Sequence, residues 1–158
     1  MRKRIIAPSE QLQQSEFSAE WLDLEQLATV ELSSEDVAHP IESALVMNGG
    51  PGWRAEHSGK QTIRLLFDKP LKITHIQLLF QEEEHARTQE FVLSWSPANS
   101  DSAREIVRQQ FNFSPPDASR EREDYNVELD GLVMLELSVI PDISGGTARA
   151  SLAQFRLA

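Results

Sequence analysis

The chain has 158 residues, the length of one domain, and 40% of them are apolar, enough to fill a single core. Its 25 acidic residues against 15 basic ones give a formal charge of -10, which disfavours nucleic acid, whose binding needs a basic surface to replace condensed counterions. The absence of cysteine excludes disulfides, thiolate metal sites and cysteine nucleophiles, and leans towards a reducing compartment.

The chain opens on Met1-Arg2-Lys3-Arg4, basic as in a signal peptide. The apolar run Ile5-Ile6-Ala7 then stops at Pro8, short of the ~7–15 residues of an h-region. No run approaches the ~18 apolar residues of a membrane span, so a soluble, cytoplasmic location with no membrane span is expected. Residues 1–20, glutamine-rich around Glu10-Gln11-Leu12-Gln13-Gln14, read as a polar N-terminal arm, and residues 21–158 as the domain. Helical periodicity is weak throughout and strongest near 16–27.

From Trp21 onward a period of two takes over. Residues 27–33 read as a strand. Residues 60–67 put Ile63, Leu65 and Phe67 on one face, and Asp68-Lys69-Pro70 reads as a break. Residues 71–80 place Ile76, Leu78 and Phe80 on one side and His75 and Gln77 on the other. After the charged loop Gln81-Glu82-Glu83-Glu84-His85-Ala86-Arg87 comes a strand over 88–96, with Phe91, Leu93 and Trp95 alternating. Ser96-Pro97-Ala98-Asn99-Ser100-Asp101 is turn chemistry. A strand over 104–113 puts Val107, Phe111 and Phe113 on a face. A polar loop over 114–124, containing Pro115-Pro116, follows. Strands over 125–129 and 132–140 flank Asp130-Gly131, the second with Val133, Leu135, Leu137 and Val139 on one side. A loop over 141–146 and a closing strand over 150–157 complete about eight strands, which predicts an all-β, antiparallel β-sandwich or barrel.

Some of these pieces follow a known order: Ser33-Ser34, Pro40, Ala44, Asn48-Gly49, Trp53, Ile63-Arg64-Leu65-Leu66-Phe67, Ile73-Thr74-His75-Ile76-Gln77-Leu78, Arg87 with Phe91-Val92-Leu93-Ser94, and Ala153-Gln154-Phe155-Arg156-Leu157. That series resembles the discoidin family, the coagulation-factor V/VIII type C or galactose-binding-like domain. The resemblance spans about residues 27–158. It implies a jelly-roll β-sandwich that serves as a binding module and not as an enzyme, most often for carbohydrate through its inter-strand loops. The alternative it implies is an intracellular protein-interaction adaptor, so the expected partner is a carbohydrate or a protein; oligomeric state is not legible. The family often holds calcium between an Asp-Gly loop and a carboxylate of the closing strand. Asn48 and Gln154 stand at those two positions, and neutral amides supply no charge, so calcium is expected to be absent or weak and no cofactor is assigned.

Five residues stand out as ligand-binding candidates: Trp53, Arg54, His85, Arg87 and Tyr125. Trp53 offers a flat apolar face and an N–H to a sugar ring, although a core role is favoured for it and for Trp95. His85 and Arg87 carry the donors that bind sugar hydroxyls, against the plainer reading of a solvated charged loop. Tyr125 sits near Arg120 and Arg122, but Glu121, Glu123 and Asp124 are interleaved, which reads as a salt-bridged surface loop. The run Glu82-Glu83-Glu84 points its acids alternately and makes a poor metal site, and His39, His57 and His75 lack ligand spacing. No G-x-S-x-G elbow or phosphate loop is present, and no catalytic residue is assigned.

Overall fold

A computed structural model describes residues 21–46, 50–100 and 102–158. The N-terminal arm over 1–20, Asn48-Gly49 and Asp101 lie outside the described residues. In chain order the elements are α1 (Leu24–Leu27), β1 (Ala28–Leu32), α2 (Glu42–Leu45), β2 (Trp53–Ser58), β3 (Gln61–Gln81), β4 (Arg87–Pro97), β5 (Arg104–Phe113), β6 (Arg120–Ile140), β7 (Arg149–Leu152) and β8 (Gln154–Leu157). Each helix is one turn of four residues.

Two strands make the architecture. β3 and β6 each run for 21 residues, paired antiparallel along their length. At ~3.4 Å per residue a straight strand of that length would reach roughly 70 Å, while a domain of this size has a radius of gyration of about 15 Å. Both strands must therefore fold over, and the ladder shows where: its register shifts between Leu66 and Leu71, Leu71 and Ile73, and Ile73 and His75. Before the bend, residues 61–66 of β3 lie between β1 and the second half of β6, which continues to β4 and β5. Beyond it, residues 75–81 lie between the first half of β6 and β8. These are the two layers of a β-sandwich, with β2 and β7 paired as a separate two-stranded ribbon.

The bend corrects two expectations. Asp68-Lys69-Pro70 and Asp130-Gly131 read as ends of strands, yet the chain stays extended through both. Pro70 falls between the paired residues Leu66 and Leu71, so the ladder loses no donor there. The alternation also slips by one at the second bend: Leu132 is buried where Val133 was expected, and Val133 is half-buried. Residues 120–124, read as a surface loop, are the first part of β6, and β2 was not foreseen.

Between the layers, Ile63, Leu65, Ile76, Leu78, Phe80, Phe91, Leu93, Leu135, Leu137 and Val139 are all at most 1% exposed. The serines that end β1 are fixed by a buried glutamine: Gln61 Oε1 accepts from Ser33 Oγ at 2.6 Å and Ser34 Oγ at 2.8 Å. Gly52 (φ +88°) lies so close to β7 that a Cβ would sit 2.7 Å from the Leu152 carbonyl oxygen, which explains a glycine just before Trp53.

Candidate functional site

The described chain ends gather at one end of the sandwich, where Leu22 donates to the Leu157 carbonyl and Ala158 to the His75 carbonyl. At the other end three connections meet: residues 82–86 between β3 and β4, 114–119 between β5 and β6, and 141–148 between β6 and β7. Glu82 N–H donates to Ser119 O at 2.8 Å and joins the first two. Ile143 N–H donates to Thr88 O at 2.9 Å and ties the third to β4.

Arg87 is the centre of this assembly. It is the first residue of β4, and its side chain is only 2% exposed. Its Nε donates to Glu82 Oε1 at 2.7 Å, and its Nη1 to Pro141 O at 2.7 Å and to Gln89 Oε1 at 3.2 Å. The guanidinium lies 4.7 Å from the centre of the Phe113 ring, at the end of β5. One side chain thus touches all three connections or the strand leading into them. Burial pushes the Glu82 carboxyl up, but the Arg87 hydrogen bond and the N–H groups of Glu84 and His85 outweigh it and hold the group below its ordinary range.

The network continues inward. Gln89, fully buried, passes a hydrogen bond from Nε2 to Glu121 Oε1 at 3.2 Å. Glu121 is 2% exposed, and its carboxyl is pushed up to about 8, first by burial and then by the neighbouring Glu123 carboxyl. Tyr125 O–H donates to Glu123 Oε2 at 2.7 Å; burial, followed by Glu123, raises its phenol well above the ordinary value. Register explains why these acids lie inside: Glu121, Glu123 and Tyr125 stand opposite Phe80, Leu78 and Ile76 on one face of the ladder.

A second flank of the same end is built by β2, β7 and the turn at 36–39. Asp36 accepts from Ala38 N–H at 2.9 Å and lies 3.5 Å from Arg149 Nη1 and 3.9 Å from His39 Nδ1. The Ala38 hydrogen bond, stronger than the opposing burial and aided by His39, Arg149 and Arg54, keeps its carboxyl low. Ser151 Oγ donates to Gln81 O at 3.4 Å, so this flank adjoins the 82–86 connection. Val37 and Ile143, two of the three exposed large apolar side chains among the described residues, project from this end.

The five sequence candidates separate by depth. His85 is on the surface, its side chain 79% exposed beside Glu84. Arg54 is exposed on β2. Arg87 is buried and belongs to the scaffold of the loops. Tyr125 is half-buried at the far end of the Arg87 network. Trp53 is 1% exposed, with Nε1 donating to Ser34 O at 3.1 Å, so its ring has no face for a sugar. The structure joins His85, Arg87 and Tyr125 through the Glu82–Arg87–Gln89–Glu121–Glu123 chain, and leaves Trp53 and Arg54 on the neighbouring ribbon.

Gln89, Glu121 and Glu123 were missed as parts of the site; the signal available was the alternation of Glu121, Glu123, Tyr125, Val127 and Leu129 along one face. The outer face of the second layer carries another unforeseen cluster. His75 lies 3.2 Å from both Asn126 Oδ1 and Asp124 Oδ1, and Gln77 Nε2 and Arg122 Nε donate to the Asp124 carboxylate at 3.0 and 2.9 Å. Gln154 is half-buried in β8, opposite Leu79, and its supposed partner Asn48 is outside the described residues. Among the described residues no group of three or more His, Asp or Glu is placed to hold a metal ion, and no helix is long and apolar enough to cross a membrane.

This architecture, two antiparallel layers joined by a folded-over strand pair with its connections gathered opposite the described chain ends, is the galactose-binding-like β-sandwich of family 32 carbohydrate-binding modules. The chain is similar to the family 32 module of Clostridium perfringens NanJ, solved in complex with galactose: TM-score 0.60, 13% identity, over 87% of this chain and 96% of that one. It is similar to the CpGH89CBM32-5 module of Clostridium perfringens, in complex with GalNAc-β-1,3-galactose, with TM-score 0.58 and 16% identity over 87% and 99%. It also matches a Ruminococcus gnavus GH29 fucosidase mutant in complex with fucose, with TM-score 0.61 and 10% identity over 86% of this chain and 26% of that one. No protein-family model matches the sequence, and comparison with curated proteins finds no match.

Proposed function

We propose that the chain is a non-catalytic carbohydrate-binding module whose ligand surface is the loop end organised by Arg87. The observation that carries this reading is the fold, shared over 87% of the chain with modules solved in complex with galactose and GalNAc-β-1,3-galactose. The chemistry of the loop end supports it. The connections are held by buried polar contacts, and a preformed loop binds without first losing its own freedom. Exposed imidazole and guanidinium donors, His85 and Arg54, stand there beside acceptors such as Glu84. Sugar hydroxyls take both kinds of partner.

With recognition resting on a few exposed side chains such as His85 and Arg54, affinity near the millimolar end is expected, about -4 kcal/mol. A glycan array followed by titration calorimetry with galactose and GalNAc-β-1,3-galactose tests the reading. Binding to at least one glycan, weakened about tenfold or more in His85→Ala or Arg54→Ala while the fold stays intact, is the expected result. A silent array, or binding unchanged in both variants, overturns the assignment of this surface.

A further inference from the structure

Glu121 is buried with half of its hydrogen-bonding capacity unmet. Its Oε1 accepts from Gln89 Nε2, while Oε2 has no donor among the described residues. The titratable group beside it is the Glu123 carboxyl, two residues along the same strand face. Two carboxylates cannot hydrogen-bond each other; an acid and a carboxylate can, through one proton held between them. Glu123 is itself fixed, with Oε2 accepting from Tyr125 O–H at 2.7 Å.

The surrounding charges are few. Arg87 and Gln89 face Glu121 from β4, and Glu123 and Tyr125 from its own strand. Phe80, opposite on β3, is apolar, as is Phe113 beneath Arg87 on β5. Through Arg87 the cluster reaches Glu82 in one connection and Asp142 in another. One guanidinium therefore serves Glu82 and Asp142 at the surface and Glu121 in the interior.

We propose that the Glu121–Glu123 pair is a proton-operated latch on the loop end. With one proton held between the two carboxyls, Arg87 stays on Glu82 and Pro141, and the connections over 82–86 and 141–148 are clamped. When that proton leaves to water, the interior gains a negative charge whose nearest cation is Arg87. The guanidinium is drawn along Gln89 towards Glu121, its bonds to Glu82 and Pro141 weaken, and both connections loosen. Burial and the Glu123 carboxyl hold the proton on Glu121 far above the ordinary carboxyl range, so the latch opens on the mildly alkaline side of neutrality. Its effect on ligand binding rests on the loop end being the ligand surface; the latch does not.

Amide hydrogen exchange on the full chain tests it, compared at pH 6 and 8.5 with exposure times scaled for base catalysis. The informative amides are Glu82, Glu84, His85 and Ile143, whose bonds hold the two connections. In the wild type their protection should fall about tenfold or more between the two pH values while Leu65 and Leu137 in the core keep theirs. Glu121→Gln donates an N–H to Glu123 as the protonated acid does, and should hold protection constant. Glu123→Gln removes the second charge but leaves Glu121 buried, so it should move the step to lower pH without abolishing it, and either variant suffices if the other fails to fold. Wild-type protection that does not change with pH, a step that survives Glu121→Gln, a step left at the same pH in Glu123→Gln, or parallel loss in the core overturns the latch. A pH step together with a silent glycan array leaves the latch standing and removes the carbohydrate reading; bound sugar with no pH step does the reverse.

Discussion

Two arginines make nearly the same bond in different parts of the molecule. In the loop-end corner, Arg87 Nε lies 2.7 Å from Glu82 Oε1; on the outer face of the first layer, Arg64 Nε lies 2.6 Å from Glu136 Oε1. The distances do not separate them, but burial does. The Arg87 side chain is 2% exposed and Arg64 49%. Arg64 keeps its water, and its partners Glu136 and Glu31 keep theirs, so the pair gains little over hydration. Arg87 has exchanged water for Glu82, Gln89, Pro141 and the Phe113 face, and each of those groups depends on it in turn. A buried ion pair of this kind is a poor source of net stability, yet breaking it by removing one partner is costly. It fixes where three connections sit, while the aliphatic interior beside it supplies the stability.

The widest separation between the two regions comes from deleting the charges. Arg87→Leu preserves most of the side-chain volume but strands Gln89 Oε1, the Pro141 carbonyl and a half-buried Glu82 carboxylate. We expect a loss of about 3–5 kcal/mol in urea unfolding, the cost typical of leaving one partner of a buried pair alone. Arg87→Lys should recover little of it, since a point charge cannot meet three acceptors and a ring face together. A loss below about 1 kcal/mol would place Arg87 in the same class as Arg64 and dissolve the contrast.

The next effect is spread over pH. Glu121 keeps its proton up to about pH 8 in the folded domain. An unfolded glutamate releases its proton near ~4.3. Between those values the native state binds the extra proton, so stability must fall as pH rises, by at most about 1.4 kcal/mol per pH unit. The depressed carboxyls of Glu82 and Asp124 act in the opposite sense: their contribution is present above the ordinary carboxyl range and is lost as pH falls through their lower folded values. The wild-type urea midpoint should therefore decline from pH 5 to 8, and Glu121→Gln should flatten that decline without altering the acid limb. A wild-type midpoint that stays level over this range would show that Glu121 is ionised throughout.

What could be read from the sequence follows the same division. The aliphatic interior was legible because Ile63, Leu65 and Phe67, Ile76, Leu78 and Phe80, or Phe91 and Leu93 announce an inward face by chemistry and period together. The bends were not, because Pro70 and Gly131 carry local turn preferences, while strand continuity is decided by partners far along the chain. β2 escaped notice because only Trp53 and Ala55 of its six residues are apolar. The polar corner was the hardest to see. Arg87, Gln89 and Glu121 read as outward residues by type, and only the register of β4 and β6 turns them inward. His85 and Arg87 carry donors of the same kind; depth in the fold divides them, one exposed and one buried.

The smallest effect sharpens the comparison from the other side. Arg64→Ala removes a contact as short as any Arg87 makes, to a glutamate on the adjacent strand, Glu136, directly opposite in the ladder. The Glu136 hydrogen bond raises the Arg64 guanidinium above its ordinary value, but that group is charged at every relevant pH, so the shift has no consequence for stability near neutrality. What remains is a screened surface pair plus one cross-strand contact, each worth a fraction of a kcal/mol. We expect a change of about 0.2–1 kcal/mol, shrinking as salt rises towards ~1 M, where the Debye length is near 3 Å. The Arg87→Leu loss should barely respond to the same salt series, since ions do not reach that corner. If both losses shrink alike, the Arg87 corner is wet, and the rigidity ascribed to the loop end would have to come from its backbone hydrogen bonds alone.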